Sequence, residues 1–154
     1  MIVKKTFALI LLFAMVACTK FTLSKTEGNF PDNRWERENI QTFEFEVKED
    51  MDADIAILFS HIDAPQYDKV PLEITIQNPA GEKETIAVML RLKNEAGEEL
   101  SDCVGDVCDL ETVIREATPM KKGTYVFKLQ NAFAKYKFTP NVLAVGVSIE
   151  NISH

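Results

Sequence analysis

Three cysteines have the most distinctive chemistry in this chain: Cys18, Cys103 and Cys108. Cys103 and Cys108 enclose only four residues, and in an oxidising compartment this spacing predicts one disulfide that closes a short loop. Such a bond would restrict the unfolded chain by about 2 kcal/mol, which stabilises the loop locally without defining the fold. A metal clip is the alternative, but a tetrahedral site needs further soft ligands and the chain has no second cysteine pair to supply them.

Cys18 ends a segment with a different composition. Lys4 and Lys5 precede an uncharged apolar run over residues 7–17, which is the layout of a secretory signal and is shorter than the about 20 residues of a membrane-spanning helix. The four residues that end at Cys18, Met-Val-Ala-Cys, resemble the lipobox of bacterial lipoproteins. That resemblance implies cleavage before Cys18 and two or three acyl chains, such as palmitate, on that residue, enough for a stable membrane anchor. The alternative is an ordinary signal peptide that happens to end on a cysteine.

This boundary divides the chain into three predicted segments. Residues 1–17 are the signal peptide, residues 18–34 are the lipidated cysteine and a flexible tether, and residues 35–154 form one domain. The tether is predicted because residues 19–33 are polar and lack periodicity, and because Gly28 and Pro31 interrupt any regular element.

Few other side chains could catalyse a reaction. His154 is terminal, and His61 stands beside Asp63 without a nucleophile motif. Acidic residues gather near the cysteine loop, which would suit calcium, but their spacing does not match an EF-hand loop and a solvated acidic loop is the simpler interpretation. These acidic residues are Asp102, Asp106, Asp109 and Glu111. We therefore expect no catalytic residue, no metal site and no cofactor, in a protein that is not an enzyme.

The charge of the chain restricts its partners. The formal net charge is −7, and loss of Lys4 and Lys5 with the signal peptide makes it −9. Nucleic acid and anionic headgroups would be repelled by such a surface. We expect the domain to contact proteins and not nucleic acid.

Period-two alternation predicts the secondary structure after residue 35. Phe43, Phe45 and Val47 share one face of an extended segment whose other face is charged. Five further strands are predicted near residues 54–60, 72–77, 86–92, 125–129 and 143–149, with turn residues between several of them. Residues 110–117 could be a short helix or a strand, and residues 131–138 are interpreted as a connector with aromatic side chains at the sandwich edge. The pattern predicts an all-β fold, an antiparallel sandwich of immunoglobulin-like or jelly-roll-like type with little helix.

Aromatic residues are expected in the core of such a sandwich, because burying each contributes a few kcal/mol. Trp35 and Tyr67 are included in this expectation, and the alternative is that Trp35, Tyr67 and Tyr136 form an exposed partner-binding patch. An exposed Trp35 beside the two tyrosines would supply the aromatic anchors that protein interfaces favour.

The order of several short motifs resembles the GldH family of gliding-motility lipoproteins of Bacteroidetes. The matching features, from the lipobox to the last strand, are Cys18, Trp35, Phe43-Glu44-Phe45-Glu46-Val47, Pro65-Gln66-Tyr67, Asn78-Pro79-Ala80-Gly81, Gly105-Asp106-Val107, Lys122-Gly123-Thr124-Tyr125, Asn131-Ala132-Phe133 and Val145-Gly146-Val147-Ser148-Ile149-Glu150. Ala134 stands where the family pattern has a basic residue, and the pair Cys103 and Cys108 is not part of that pattern, so the chain resembles a divergent member.

This resemblance implies a lipid-anchored accessory protein of the gliding-motility and type IX secretion machinery, with protein components of that complex as its partners. It also implies an anchor in the outer membrane with the domain on the periplasmic face, since no acidic cluster follows Cys18. A lipid-anchored carbohydrate- or ligand-binding module is the alternative function. Several exposed, roughly coplanar aromatic rings on a concave face would favour that alternative.

Overall fold

The computed structural model describes residues 21–153. The predicted signal peptide and the predicted lipidation site Cys18 lie outside these residues, as does His154. No helix within residues 21–153 has the length and hydrophobicity needed to cross a bilayer.

The described chain is almost entirely extended, with one 3-10 turn at Pro31–Asn33. The eleven strands, in chain order, are β1 (Thr22–Glu27), β2 (Trp35–Glu36), β3 (Gln41–Val47), β4 (Met51–Ile62), β5 (Lys69–Gln77), β6 (Lys83–Arg91), β7 (Asp102–Val104), β8 (Val107–Met120), β9 (Gly123–Asn131), β10 (Phe138–Thr139) and β11 (Val142–Asn151). One sheet has five strands in the order β1-β11-β4-β8-β7, and the second has four in the order β3-β9-β5-β6. Strands β2 and β10 form a separate pair. Every pairing is antiparallel, so the predicted all-β, antiparallel sandwich is confirmed.

The hydrophobic core lies between the two sheets because inward positions alternate with outward ones. In β3, Phe43, Phe45 and Val47 are buried while Glu44 and Glu46 are exposed, as the alternation predicts. In β4, Ile55, Ile57 and Phe59 are buried on the inner face of the five-stranded sheet. The Phe45 and Phe127 rings meet edge to face, with centroids 5.6 Å apart.

Residues 110–117, whose sequence was compatible with either a helix or a strand, lie within β8. This strand pairs with β4 over most of its length, and the register shifts near Ile55, where Arg115 and Val113 oppose Ile55 and Ala56. A β-bulge of this kind inserts a residue that interrupts the alternation. That interruption is why the pattern alone could not distinguish strand from helix.

The structure corrects the predicted flexible tether over residues 18–34. Residues Thr22–Glu27 form β1, which pairs with β11 from Thr22 opposite Glu150 to Glu27 opposite Val145. Most of its side chains are exposed, so the strand carries almost no hydrophobic pattern, although Leu23 packs against the core. The folded domain therefore includes Thr22–Glu27, which the prediction had assigned to the tether.

Gly146 allows this strand to lie close to β11. A Cβ atom built on Gly146 would overlap the carbonyl oxygen of Lys25 and would lie 2.6 Å from the side-chain methyl of Thr26. The ammonium group of Lys25 in turn lies 5.5 Å from the centre of the Phe45 ring, on the opposite sheet. A cation over an aromatic face is attracted by the ring quadrupole, so Lys25 covers this lateral side of the sandwich.

Candidate functional site

The disulfide hairpin is the most sharply defined feature at one end of the five-stranded sheet. Cys103 on β7 lies directly opposite Cys108 on β8, and their sulfur atoms are bonded, which confirms the predicted disulfide. The turn between the strands is Gly105-Asp106, with Gly105 at a positive φ of 61° that favours glycine. The backbone N–H of Asp63 donates to the carbonyl of Asp106 at 2.9 Å, so the turn is also fixed to the end of β4.

The metal-clip alternative meets a chemical obstacle here. A carboxylate oxygen of Asp63 and the two sulfur atoms lie within 4.8 Å of one another. Metals bind cysteine as the thiolate, and both sulfur atoms of this group are held in the disulfide. With the bond intact, this cluster lacks the ligand chemistry of a zinc site.

The outward face of the hairpin is apolar and acidic. Val104 is 84% exposed and lies opposite Val107, which is 45% exposed. Asp102 lies opposite Asp109, two pairs along the ladder from the valines and on the same face, and Asp109 accepts a hydrogen bond from the Ser60 hydroxyl. The exposed valines of this loop were not predicted, because only its cysteines and carboxylates stood out in the sequence.

His61 lies beneath the hairpin and is buried. Its Nδ1 lies 2.9 Å from the carbonyl of Ile62 and its Nε2 lies 2.9 Å from the Ser101 hydroxyl. A carbonyl can only accept, so Nδ1 donates to Ile62, and whenever the ring is neutral Nε2 accepts from the Ser101 hydroxyl. Glu99 lies 4.0 Å from the same nitrogen. Because both His61 and Ser101 are buried, this pair is placed to hold the loop before β7 against the sheet.

Trp35 is a core residue, as expected of aromatics in a sandwich, and the alternative of an exposed aromatic patch is wrong at this residue. This residue is fully buried, its ring lies 5.9 Å from that of Phe30, and its indole N–H donates to the carbonyl of Asn39 at 2.7 Å. The side-chain amide of Asn131 donates to the Trp35 carbonyl at 3.0 Å. Trp35 is a core residue that fixes the segment before β3, and it cannot contact a partner while the domain is folded.

Tyr67 and Tyr136 do lie in one aromatic row, on either side of Phe133. The ring centroids are 6.0 Å and 6.1 Å apart, and the successive planes are inclined by 69° and 72°. Tyr67 is mostly buried, its hydroxyl donates to the Pro140 carbonyl at 2.8 Å, and burial raises the pKa of its phenol above the ordinary value. Only Tyr136, at 60% exposure, presents much of its ring to solvent. Edge-to-face rings of this kind are not the coplanar platform expected of a carbohydrate-binding face.

A cleft of about 730 Å³ opens between the two sheets at the end opposite the hairpin. Its floor includes Ile55, Ile76 and Met120, and its rim includes the ion pair of Arg115 with Glu84, which joins β8 to β6. This size falls in the range of small-molecule sites.

The fold and the hairpin define an antiparallel β-sandwich with a disulfide-clamped end. The chain matches the family model described as GldH lipoprotein over residues 23–149, and it therefore belongs to the GldH lipoprotein family. As a member of that family, it is a gliding-motility-related lipoprotein, anchored by lipid in the cell envelope. Comparison with curated proteins gives no match.

Solved structures show only distant likeness. Eiger TNF from S. frugiperda has a TM-score of 0.40 at 9% identity, covering 71% of this chain and 64% of that one. The dimeric latent PorU from Porphyromonas gingivalis has a TM-score of 0.35 at 11% identity, covering 86% of this chain and 13% of that one. The VP2 subviral particle of infectious bursal disease virus has a TM-score of 0.39 at 13% identity, with 86% and 33% covered. The chain spans less than two thirds of each of these proteins, and likeness at this level carries no information on function.

Proposed function

We propose that this protein is a non-enzymatic accessory lipoprotein of the gliding-motility and type IX secretion machinery, held by acyl chains on Cys18 at the periplasmic face of the outer membrane. The observation that carries the proposal is the family match over residues 23–149, together with the lipobox-like sequence that ends at Cys18. The Ser101–His61 pair is buried and out of reach of a substrate, which supports a non-enzymatic role.

The position of β1 adds a physical reason for a close attachment to the membrane. Only three residues separate Cys18 from Thr22, the first residue of β1. Three or four extended residues reach at most about 14 Å, so an acylated Cys18 would hold this end of the sandwich near the bilayer. The domain would then be held close to the membrane and not by a long flexible tether.

Acylation can be tested by metabolic labelling with an alkyne analogue of palmitate. The wild-type protein should carry the label and remain with the membrane fraction, whereas Cys18→Ser should lose both. Protease added to intact cells should leave the wild-type domain uncut if it faces the periplasm. An unmodified thiol in the mature protein would refute the anchor, and digestion from outside would refute the periplasmic orientation.

The role in the machinery can be tested by purifying the acylated protein from native membranes in mild detergent. We expect motility or secretion components to co-purify with the wild-type protein in stoichiometric amounts. Their absence would refute the proposed role.

The inter-sheet cleft favours a second candidate function, a lipid-anchored ligand-binding module. Its apolar floor and charged rim have the character of ligand sites in general. A glycan array and a panel of small amphiphiles would test it, with Met120→Trp, which fills the floor of the cleft, as the variant that should abolish binding.

A further inference from the structure

We propose that the outward face of the disulfide hairpin docks a protein partner that presents an apolar pocket bordered by lysine or arginine side chains. We call this surface the valine face and define it by Val104 and Val107, with the flanking carboxylates of Asp102 and Asp109. The inference deepens the proposed function and rests on it, since it assigns the surface by which the lipoprotein would contact its machinery.

Two exposed valines share this face. Val104 and Val107 are direct neighbours across the β7–β8 ladder. Their exposures are 84% and 45%. The inward residues Cys108 and Leu110 of β8 are buried, which confirms the alternation that turns Val107 outward. A single exposed apolar residue is unremarkable, but a pair on adjoining strands is the kind of patch that partners bury.

The hairpin is rigid before any partner arrives. The disulfide joins its two strands, β4 pairs with β8 up to Ile62 opposite Val107, and Asp63 donates to Asp106 at the turn. A surface fixed in this way loses little conformational entropy on binding.

Charge specifies the chemistry of the partner. Residues 94–114 contain no lysine or arginine, and seven of them are acidic: Glu95, Glu98, Glu99, Asp102, Asp106, Asp109 and Glu111. Arg115, the next basic residue, forms an ion pair with Glu84. A basic rim around an apolar pocket would complement this surface and accelerate the encounter, while another acidic surface would be repelled.

The start of the chain argues that the partner is a protein and not the bilayer. Thr22 lies opposite Glu150, which lies opposite Asp54 on β4, whereas the hairpin lies opposite Ile62. Eight residues of strand separate Asp54 from Ile62, a distance of roughly 26 Å. The anchored end and the valine face are therefore at opposite ends of the five-stranded sheet.

A photo-crosslinking amino acid tests the proposal in the full-length, acylated protein in native membranes. It is placed at Val104, with Ala80, an exposed residue in the turn after β5 at the other end, as the matched position. We expect a discrete protein adduct from Val104 that is several-fold stronger than from Ala80. Mass spectrometry of the contact peptide should find apolar residues beside lysine or arginine.

Two variants make the result specific. Asp102→Lys combined with Asp106→Lys should reduce the Val104 adduct several-fold and remove its sensitivity to salt, with an unchanged melting temperature. Val107→Ser should also reduce the adduct while keeping its salt dependence. An adduct to lipid, to a second copy of this chain or to an acidic peptide would overturn the proposal, as would an adduct indifferent to the charge reversal.

The two failures can be told apart. If Val104 crosslinks to a basic, apolar surface of a protein outside the motility and secretion machinery, the docking face stands and the proposed role falls. If the machinery co-purifies and Val104 gives no adduct, the role stands and the docking face is refuted.

Discussion

Cys103 and Cys108 occupy directly opposite positions on β7 and β8, and the bond between them ties the three-residue strand β7 to the sheet. We expect the double variant Cys103→Ala, Cys108→Ala to lower the free energy of unfolding by about 2 kcal/mol, because the unfolded chain regains the freedom of the closed loop. Urea denaturation monitored by circular dichroism measures this loss. Reducing the wild-type protein should reproduce the effect, and the double variant itself should not respond to the reductant. An identical midpoint for variant and wild type would mean that the strand is held by its other contacts alone.

Trp35 and Tyr136 give a matched pair of aromatic substitutions. Trp35→Ala empties a fully buried site and leaves the carbonyl of Asn39 without its indole donor, so we expect a loss of about 3–5 kcal/mol. Tyr136→Ala removes a mostly exposed ring and should change stability by less than about 0.5 kcal/mol. Thermal unfolding of both variants distinguishes core from surface. A Trp35→Ala protein with the wild-type melting temperature would contradict the burial of this residue.

The sequence predicted those parts of the fold in which hydrophobic alternation is regular. Phe43, Phe45 and Val47 are buried as the pattern indicates, because one face of β3 meets the core and the other meets solvent. Strand β1 escaped prediction for a physical reason. It is an edge strand that is held mainly by its backbone pairing with β11, and backbone hydrogen bonds leave no trace in side-chain polarity.

The candidate site was predicted in part. The spacing of Cys103 and Cys108 was sufficient to predict their bond, since two cysteines five residues apart can meet across a tight hairpin. The environment of Trp35 depends on Phe30, which lies outside the predicted strands, and on Asn131, which is far away in the sequence. The residues next to Trp35 in the sequence therefore do not determine its position. The valine face did carry a signal, namely valines in a segment without any basic residue, but only the register of β7 with β8 places them together.

Gly146→Ala tests the attachment of β1. The added methyl group would overlap the backbone of Lys25 and the side chain of Thr26, so β1 must move away from β11. We expect a loss of about 1–3 kcal/mol from overpacking and faster amide hydrogen exchange in β1. Amides in β4, on the other side of β11, serve as the internal control and should keep their protection. Unchanged exchange in both strands would show that β1 is not closely packed against β11.

Tyr67 provides a prediction at alkaline pH. Burial raises the pKa of its phenol, and its hydroxyl donates to the Pro140 carbonyl. An acid whose pKa is raised on folding stabilises the native state below its unfolded pKa, about 10 for tyrosine, and this contribution is lost as the pH rises above that value. Tyr67→Phe should therefore be less stable than the wild type by roughly 1 kcal/mol at pH 8, through the lost hydrogen bond, and the difference should shrink above pH 10. Urea midpoints of both proteins at pH 8, 9.5 and 11 measure the difference. A gap that stays constant across this series would show that the phenol ionises equally easily in the folded and unfolded chains.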